Sequence, residues 1–235
     1  MASNLTGVTA VNNSWAISDQ PGKASEDFHF TTPGVAYTAA SGDLGGQTFW
    51  PSVSPNVASV GGTRLTRAPH TARGWTESGW VGSGGGCALY EPPVAFQQGF
   101  TFCLCRATPD VSAVADPDSG LAVYTTTPTP TNSTGWQVAG GTGVSAPLVA
   151  GMYALAGRPD PAVNTYPYAR PGAFHDIVIG CAGAFCAIPG YDLVTGIGTP
   201  RGVRGLRAPR QRGAQAADTA WKFHEDLGFW PRRVT

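Results

Sequence analysis

The sequence predicts an α/β fold built on a mostly parallel sheet, and three features carry that prediction. First, β-prone apolar runs recur without strict alternation: "GVTAVNNSW" (7–15), "GVAYTAASGD" (34–43) and "NVASVGGTRL" (56–65). Runs of this kind suit strands covered on both faces, the normal state of a parallel sheet. Second, "KASEDFHFTT" (23–32) has the length and place of a crossover helix between the first two strands, which makes a βαβ rhythm. Third, "GGTGVSAPLVAGMYALAG" (140–157) runs from a glycine turn into a helix of small and apolar residues over 146–156.

The remaining elements follow in chain order. From 66 to 108 the pattern loosens into Gly-, Trp- and Pro-rich sequence holding Trp75, Trp80 and the first cysteines. "SGLAVYTTT" and "GWQVAGG" (119–141) read as a hairpin across a Pro/Thr/Asn loop. After the 146–156 helix the chain is irregular to Gly198, and 207–235 changes character, with arginines followed by "AADTAWKFHEDLGFWPRR". That segment reads as an extension, either a short amphipathic helix or poorly ordered. The expected organisation is one domain over 1–206 and an extension over 207–235; 235 residues suffice to bury a sizeable core.

Charge limits the partners. Lys+Arg and Asp+Glu balance at 15 each, so no basic stripe is present to offset a phosphate backbone, and nucleic acid is not expected. The longest apolar run, Pro147–Ala156, is far short of a membrane span. High Gly and Pro with few Lys suit a loop-rich extracellular protein, although "MASNLTGVTAVNNSW" has no basic and apolar leader. Cys181 and Cys186 suit a small loop closed by a disulfide; Cys87 faces Cys103 and Cys105, one of which is left over. Zinc at Cys87, Cys103 and Cys105 is the alternative, but no C-x-x-C or H-E-x-x-H spacing supports it.

A few residues invite chemistry. Asp43 in "ASGDLGG" (40–46) falls just past the carboxyl end of a parallel strand, where open α/β sheets place ligands. A protonated or hydrogen-bonding aspartate there is placed to face a developing oxyanion; the plainer alternative is a turn aspartate bonded to its own backbone. Asp176 in "FHDIV" and Asp192 in "IPGYD" are hard oxygen donors among glycines, a calcium-type arrangement. Glu26 and Asp27 read as solvated helix charges.

Six motifs in register, "VNNSW", "GVAYTAASGD", "FWPSVSPNVASVGGTRL", "PDVSAVADPDSGLAVY", "GGTGVSAP" and "FHDI…PGYDLVTGIGTP", resemble the sedolisins over roughly 7–206. These are serine-carboxyl peptidases with a subtilisin-like fold that cleave polypeptides in acid and are secreted. The resemblance implies a subtilisin-like three-layer α/β fold, truncated at the N-terminus. It implies that Asp43 holds the family's oxyanion position, with Leu44 replacing the family's serine. It also implies one structural Ca2+, held by Asp176 and Asp192 with the carbonyls of Ile177, Ile188 and Gly190. The nucleophile of the family's G-T-S-x-S/A-x-P falls on Gly143, which has no oxygen to activate. The family's activating glutamate and aspartate lie on a helix upstream of "NNSW", and the residues preceding it here offer no counterpart. Ser145 lies about 200° around a helix from 143 and points away from it, and Thr142 is expected to precede the turn and aim elsewhere. His29, His70, His175 and His224 have no serine in a G-x-S-x-G turn to pair with. The expectation is a peptidase homologue that does not hydrolyse; the alternatives are a calcium-stabilised module binding peptide or protein, or a truncated gene product.

Overall fold

A computed structural model describes residues 2–128, 134–157, 159 and 163–208. The strands in chain order are β1 (Ala10–Asn13), β2 (Ile17–Ser18), β3 (Ala36–Ala40), β4 (Phe49–Trp50), β5 (Ala58–Arg67), β6 (Trp75–Gly79), β7 (Gly86–Cys87), β8 (Ala107–Thr108), β9 (Val111–Val114), β10 (Leu121–Thr125) and β11 (Gly135–Ala139). Helix α1 (Thr142–Ala156) and the single turn α2 (Tyr166–Ala169) follow, then the two-residue strands β12 (Phe174–His175), β13 (Cys181–Ala182), β14 (Phe185–Cys186) and β15 (Thr199–Pro200).

The central sheet runs β1-β3-β5, all parallel, with β9 parallel to the middle of β5 and β6 antiparallel to its far end. All five residues of β3 are buried, which is why its run of apolar residues does not alternate. The pleat divides them between two cores. Ala36 and Ala40 join Val60, Val111 and the α1 residues Ala146, Val149 and Tyr153 on one face. Tyr37 and Ala39 join Phe30, Trp50, Val53 and Val57 on the other. Helix α1 covers β1, β3, β5 and β9, so the expected layered α/β architecture stands.

The crossover helix expected over 23–32 between β1 and β3 forms as a 3-10 helix over Lys23–Phe30. Its Asp27 is not a solvated charge: it is 8% exposed and its Oδ1 accepts a hydrogen bond from Trp50 Nε1 at 3.2 Å. Glu26, by contrast, pairs at the surface with His29 at 3.2 Å. The expected hairpin forms as β10–β11, with Tyr124 opposite Trp136; residues 129–133 of its loop lie outside the described residues. So does the expected extension from 209 onward, leaving only Arg207 and Ala208, whose carbonyls accept from the Arg170 guanidinium.

Beneath the sheet the largest fully buried side chain is Arg106. Its guanidinium holds Asp110 through two hydrogen bonds, Nη1 to Oδ1 at 2.9 Å and Nη2 to Oδ2 at 2.5 Å. Tyr168 Oη donates to the same Oδ1 at 2.7 Å and the Ser59 amide to Oδ2 at 2.8 Å. These donors meet the Asp110 oxygens as a buried ion pair requires, while Arg106 Nε is buried without a partner. Cys87 is bonded to Cys103 and Cys181 to Cys186, and Cys105 is the free thiol. Two disulfides fit an oxidising compartment, and they use two of the three cysteines that a zinc site would have required.

Candidate functional site

The carboxyl end of β3 leads into the glycine turn that carries Asp43. Gly42 has φ +108, and a Cβ there would stand 2.4 Å from the Phe49 ring, so only glycine fits. The turn is fastened to the 82–84 segment by Gly45 N–H to Gly82 O and Gly84 N–H to Gly42 O, at 3.0 and 2.8 Å. Asp43 therefore leaves the sheet end in a fixed direction, toward the start of α1.

Helix α1 begins at Thr142, four residues earlier than the sequence suggests. Its N-cap position is Gly141, which has no side chain to cap with. Asp43 supplies the cap from 99 residues away: its Oδ1 accepts the Thr142 amide at 2.7 Å and the Thr142 hydroxyl at 2.8 Å. A carboxylate there also meets the positive end of the helix dipole. Gly141 has φ +95, and a Cβ on it would lie 2.7 Å from Asp43 Oδ2. Both glycine and aspartate are thus required for this closure. Asp43 is not a turn aspartate bonded to its own backbone. Thr142 is likewise no bystander: its Oγ1 also accepts the Gly42 amide at 3.0 Å, tying the helix to the strand end.

Gly143 occupies the first turn of α1, facing Ser14. Its φ lies outside the left-handed region, and a Cβ built on it would meet only Ser14 Cβ at 3.6 Å and Ser14 Oγ at 3.9 Å, ordinary contacts. Neither backbone nor packing excludes a serine side chain at this position. The Gly143 carbonyl lacks its normal helical donor because residue i+4 is Pro147. Ser14 Oγ replaces that donor at 2.6 Å and is itself held by Asn12 Nδ2 at 2.8 Å. Ser145 points into the protein, wholly buried, with its hydroxyl on the Thr142 carbonyl at 3.0 Å.

Between these residues lies a cleft of about 220 Å3, bordered by Ser14, Trp15, Asp43, Leu44, Thr142 and Gly143. Among the described residues lining it, Asp43 is the one ionisable side chain, and no histidine is present. A larger hollow of about 340 Å3 is lined by Arg170 and Arg204 and shares no residue with the cleft.

Asp176 and Asp192 sit in the loops around β12 and β15. Asp176 Oδ2 accepts the Gly190 amide at 2.9 Å, which brings the 174–178 and 188–192 segments together. Asp192 is 4% exposed; its Oδ1 accepts the Val194 and Thr195 amides at 2.8 and 2.7 Å, and its Oδ2 the Thr195 hydroxyl at 2.9 Å. Burial pushes the Asp192 carboxyl up to about 6 despite those hydrogen bonds. Asp192 and Ile188 border a hollow of about 250 Å3. Ile177 is buried and Ile188 exposed. No cluster of three or more His, Cys, Asp or Glu side chains occurs among the described residues.

Of the residues bordering this cleft, sequence reasoning singled out Asp43 and Gly143, set Thr142 aside and passed over Ser14 and Trp15. Pro147, four residues after Gly143, was the available signal that the 143 carbonyl needs a donor from elsewhere.

A glycine-turn aspartate at the end of a parallel sheet thus closes on a helix N-terminus and borders the cleft. The chain is 32% identical over 215 residues to kumamolisin of Bacillus sp. (strain MN-32), covering 78% of this chain and 38% of that protein. It is 28% identical over 242 residues to sedolisin of Pseudomonas sp. (strain 101), covering 85% of this chain and 40% of that protein. The chain thus spans about two fifths of the length of these relatives. Among solved structures, Pseudomonas sedolisin, a serine-carboxyl proteinase complexed with two molecules of pseudo-iodotyrostatin, matches with TM-score 0.68 at 24% identity over 94% of this chain and 66% of that one. Sphericase matches with TM-score 0.54 at 19% identity over 83% of this chain and 57% of that one, a likeness of fold alone. No family profile matches the chain. Sequence and fold together assign it to the sedolisin family, the serine-carboxyl peptidases, over the stretch it spans.

Proposed function

We propose that this chain is an extracellular, peptidase-like module that holds a polypeptide in its cleft and does not hydrolyse it. The observation that carries the reading is Gly143: this position of α1 presents no hydroxyl, although a Cβ there would meet only ordinary contacts, and the neighbouring Thr142 hydroxyl is committed to Asp43 and the Gly42 amide. Removing the nucleophile of a serine protease lowers turnover on the order of a million-fold, leaving oxyanion and binding effects. Asp43 keeps the oxyanion position of the family, and here its Oδ1 is engaged in closing the helix. Ser145 offers no substitute, since its hydroxyl is buried and bonded backward. Trp15 and Leu44, 48% and 64% exposed, leave the cleft an apolar flank suited to peptide side chains. A library of quenched-fluorescent peptides at acid pH is expected to give no turnover, while unlabelled peptides quench or shift Trp15 fluorescence on binding. Turnover abolished by Ser145→Ala would overturn the reading.

Within the same proposal, one structural Ca2+ is held by the carboxylates of Asp176 and Asp192 with the carbonyls of Ile177, Ile188 and Gly190. The donor chemistry fits: both side chains are hard oxygen ligands, and Asp192 is a buried carboxyl. A bound divalent ion would tie further the two loops that Asp176 and Gly190 already join.

A further inference from the structure

Three acidic residues meet behind the cleft wall, outside the site described above. Asp19 follows β2, Asp27 lies in the 3-10 crossover and Glu91 follows β7; they are 8%, 8% and 3% exposed. The Glu91 and Asp27 carboxyls face each other within reach of a shared hydrogen bond. A carboxylate has no proton to donate, so this bond forms only while one of the two holds a proton. Asp19 Oδ2 is committed to the Leu89 amide at 2.6 Å and the Thr48 hydroxyl at 3.2 Å, which keeps its charge close to the pair. The cation acting on Glu91 is Arg106, but its guanidinium is already spent on Asp110. Lys23 lies over the Trp50 ring at 5.3 Å, and Glu26 and His29 pair with each other on the outer side of the turn.

The trio connects to the cleft through two tryptophans. Asp27 Oδ1 accepts from Trp50 Nε1, and the Trp50 ring packs on Trp15 with centroids 5.4 Å apart. Trp15 and Phe49, the neighbour of Trp50 in β4, both border the cleft. β2 and β4 pair as Ile17↔Trp50 and Ser18↔Phe49, so a shift of Trp50 carries that wall with it.

We propose that Asp19, Asp27 and Glu91 form a proton-held latch behind the aromatic wall of the cleft, locking Trp50 and Trp15 in acid and freeing them when the shared proton is lost. Burial first, then the charges of Asp27 and Asp19, lift the Glu91 carboxyl from its ordinary 4.5 to about 7. A raised carboxyl of this kind stabilises the fold fully below its unfolded value. That contribution shrinks as pH rises above 4.5 and is gone above about 7. Three like charges then share one buried site, and relief comes by water entry or by separation of the 88–91 segment from the crossover.

The latch does not depend on whether the cleft binds a peptide, and its test reads the tryptophans alone. The full chain is titrated from below pH 4.5 to above pH 7 and followed by near-ultraviolet circular dichroism and iodide quenching. One transition centred near 7 is expected, with reduced amplitude in Trp15→Phe. Glu91→Gln, which keeps a donor to Asp27 without a titrating proton, should hold the acid signal throughout. Asp27→Asn should move the midpoint down by on the order of one pH unit, because a like charge is removed, and it keeps the test decisive if Glu91→Gln fails to fold. A flat wild-type titration, or a transition that persists in Glu91→Gln or is unmoved in Asp27→Asn, would overturn the latch.

Discussion

Asp43→Ala tests the closure on which the cleft depends. The substitution removes the acceptor of two hydrogen bonds, from the Thr142 amide at 2.7 Å and the Thr142 hydroxyl at 2.8 Å. Thr142 is wholly buried, so both donors lose their partner inside the protein. A hydrogen bond to a charged group contributes about 1.5–3 kcal/mol net, and the helix dipole adds about 0.3–1 kcal/mol. Asp43 itself is exposed, however, so water enters the vacated space and recovers part of this. The expected loss is therefore in the lower part of the range, about 1.5–2 kcal/mol. Asp43→Asn keeps an acceptor in the same place and forfeits only the charge, about 0.5 kcal/mol. Urea unfolding of the three proteins measures both. In a domain of this size the alanine variant should melt roughly 3–8 °C lower. An alanine variant within about 0.3 kcal/mol of the parent at unchanged urea dependence would refute the cap, since even a neutral cap contributes more. An asparagine variant as weak as alanine would refute the argument that the acceptor outweighs the charge.

Other predictions follow from the same geometry. Gly143→Ser should raise stability by about half a kcal/mol, because serine is the better helix former and its Cβ fits. It should still give no peptide hydrolysis, as Asp43 is the one ionisable side chain among the described residues of the cleft; a melting temperature below the parent's would contradict the packing. Chelator should lower the melting temperature of the parent and leave Asp176→Ala unaffected, and an unchanged parent melt would remove calcium from the account. Asp110→Ala should destabilise by about 3–5 kcal/mol, since Arg106 is left charged and buried. Equilibrium unfolding showing a loss under about 1 kcal/mol would mean that water or another acceptor reaches the guanidinium.

The layered α/β plan, the β10–β11 hairpin, the Asp43 position and the missing hydroxyl at Gly143 were legible in the sequence. Each is written locally, in runs of apolar residues, in glycine turns or in the identity of one residue. Contact across the chain decided the rest. Where α1 starts depends on a carboxylate 99 residues away, which no local propensity encodes. Asp27 looks like a surface charge on its own turn and is buried because Trp50 and Glu91 fold against it. Cys87 could have met either Cys103 or Cys105, two positions apart, and only the packing of the 100–105 loop selects Cys103. Side-chain pattern sets which faces seek burial, whereas the partner that satisfies a buried donor, charge or thiol is fixed only when distant segments are brought within a few ångströms.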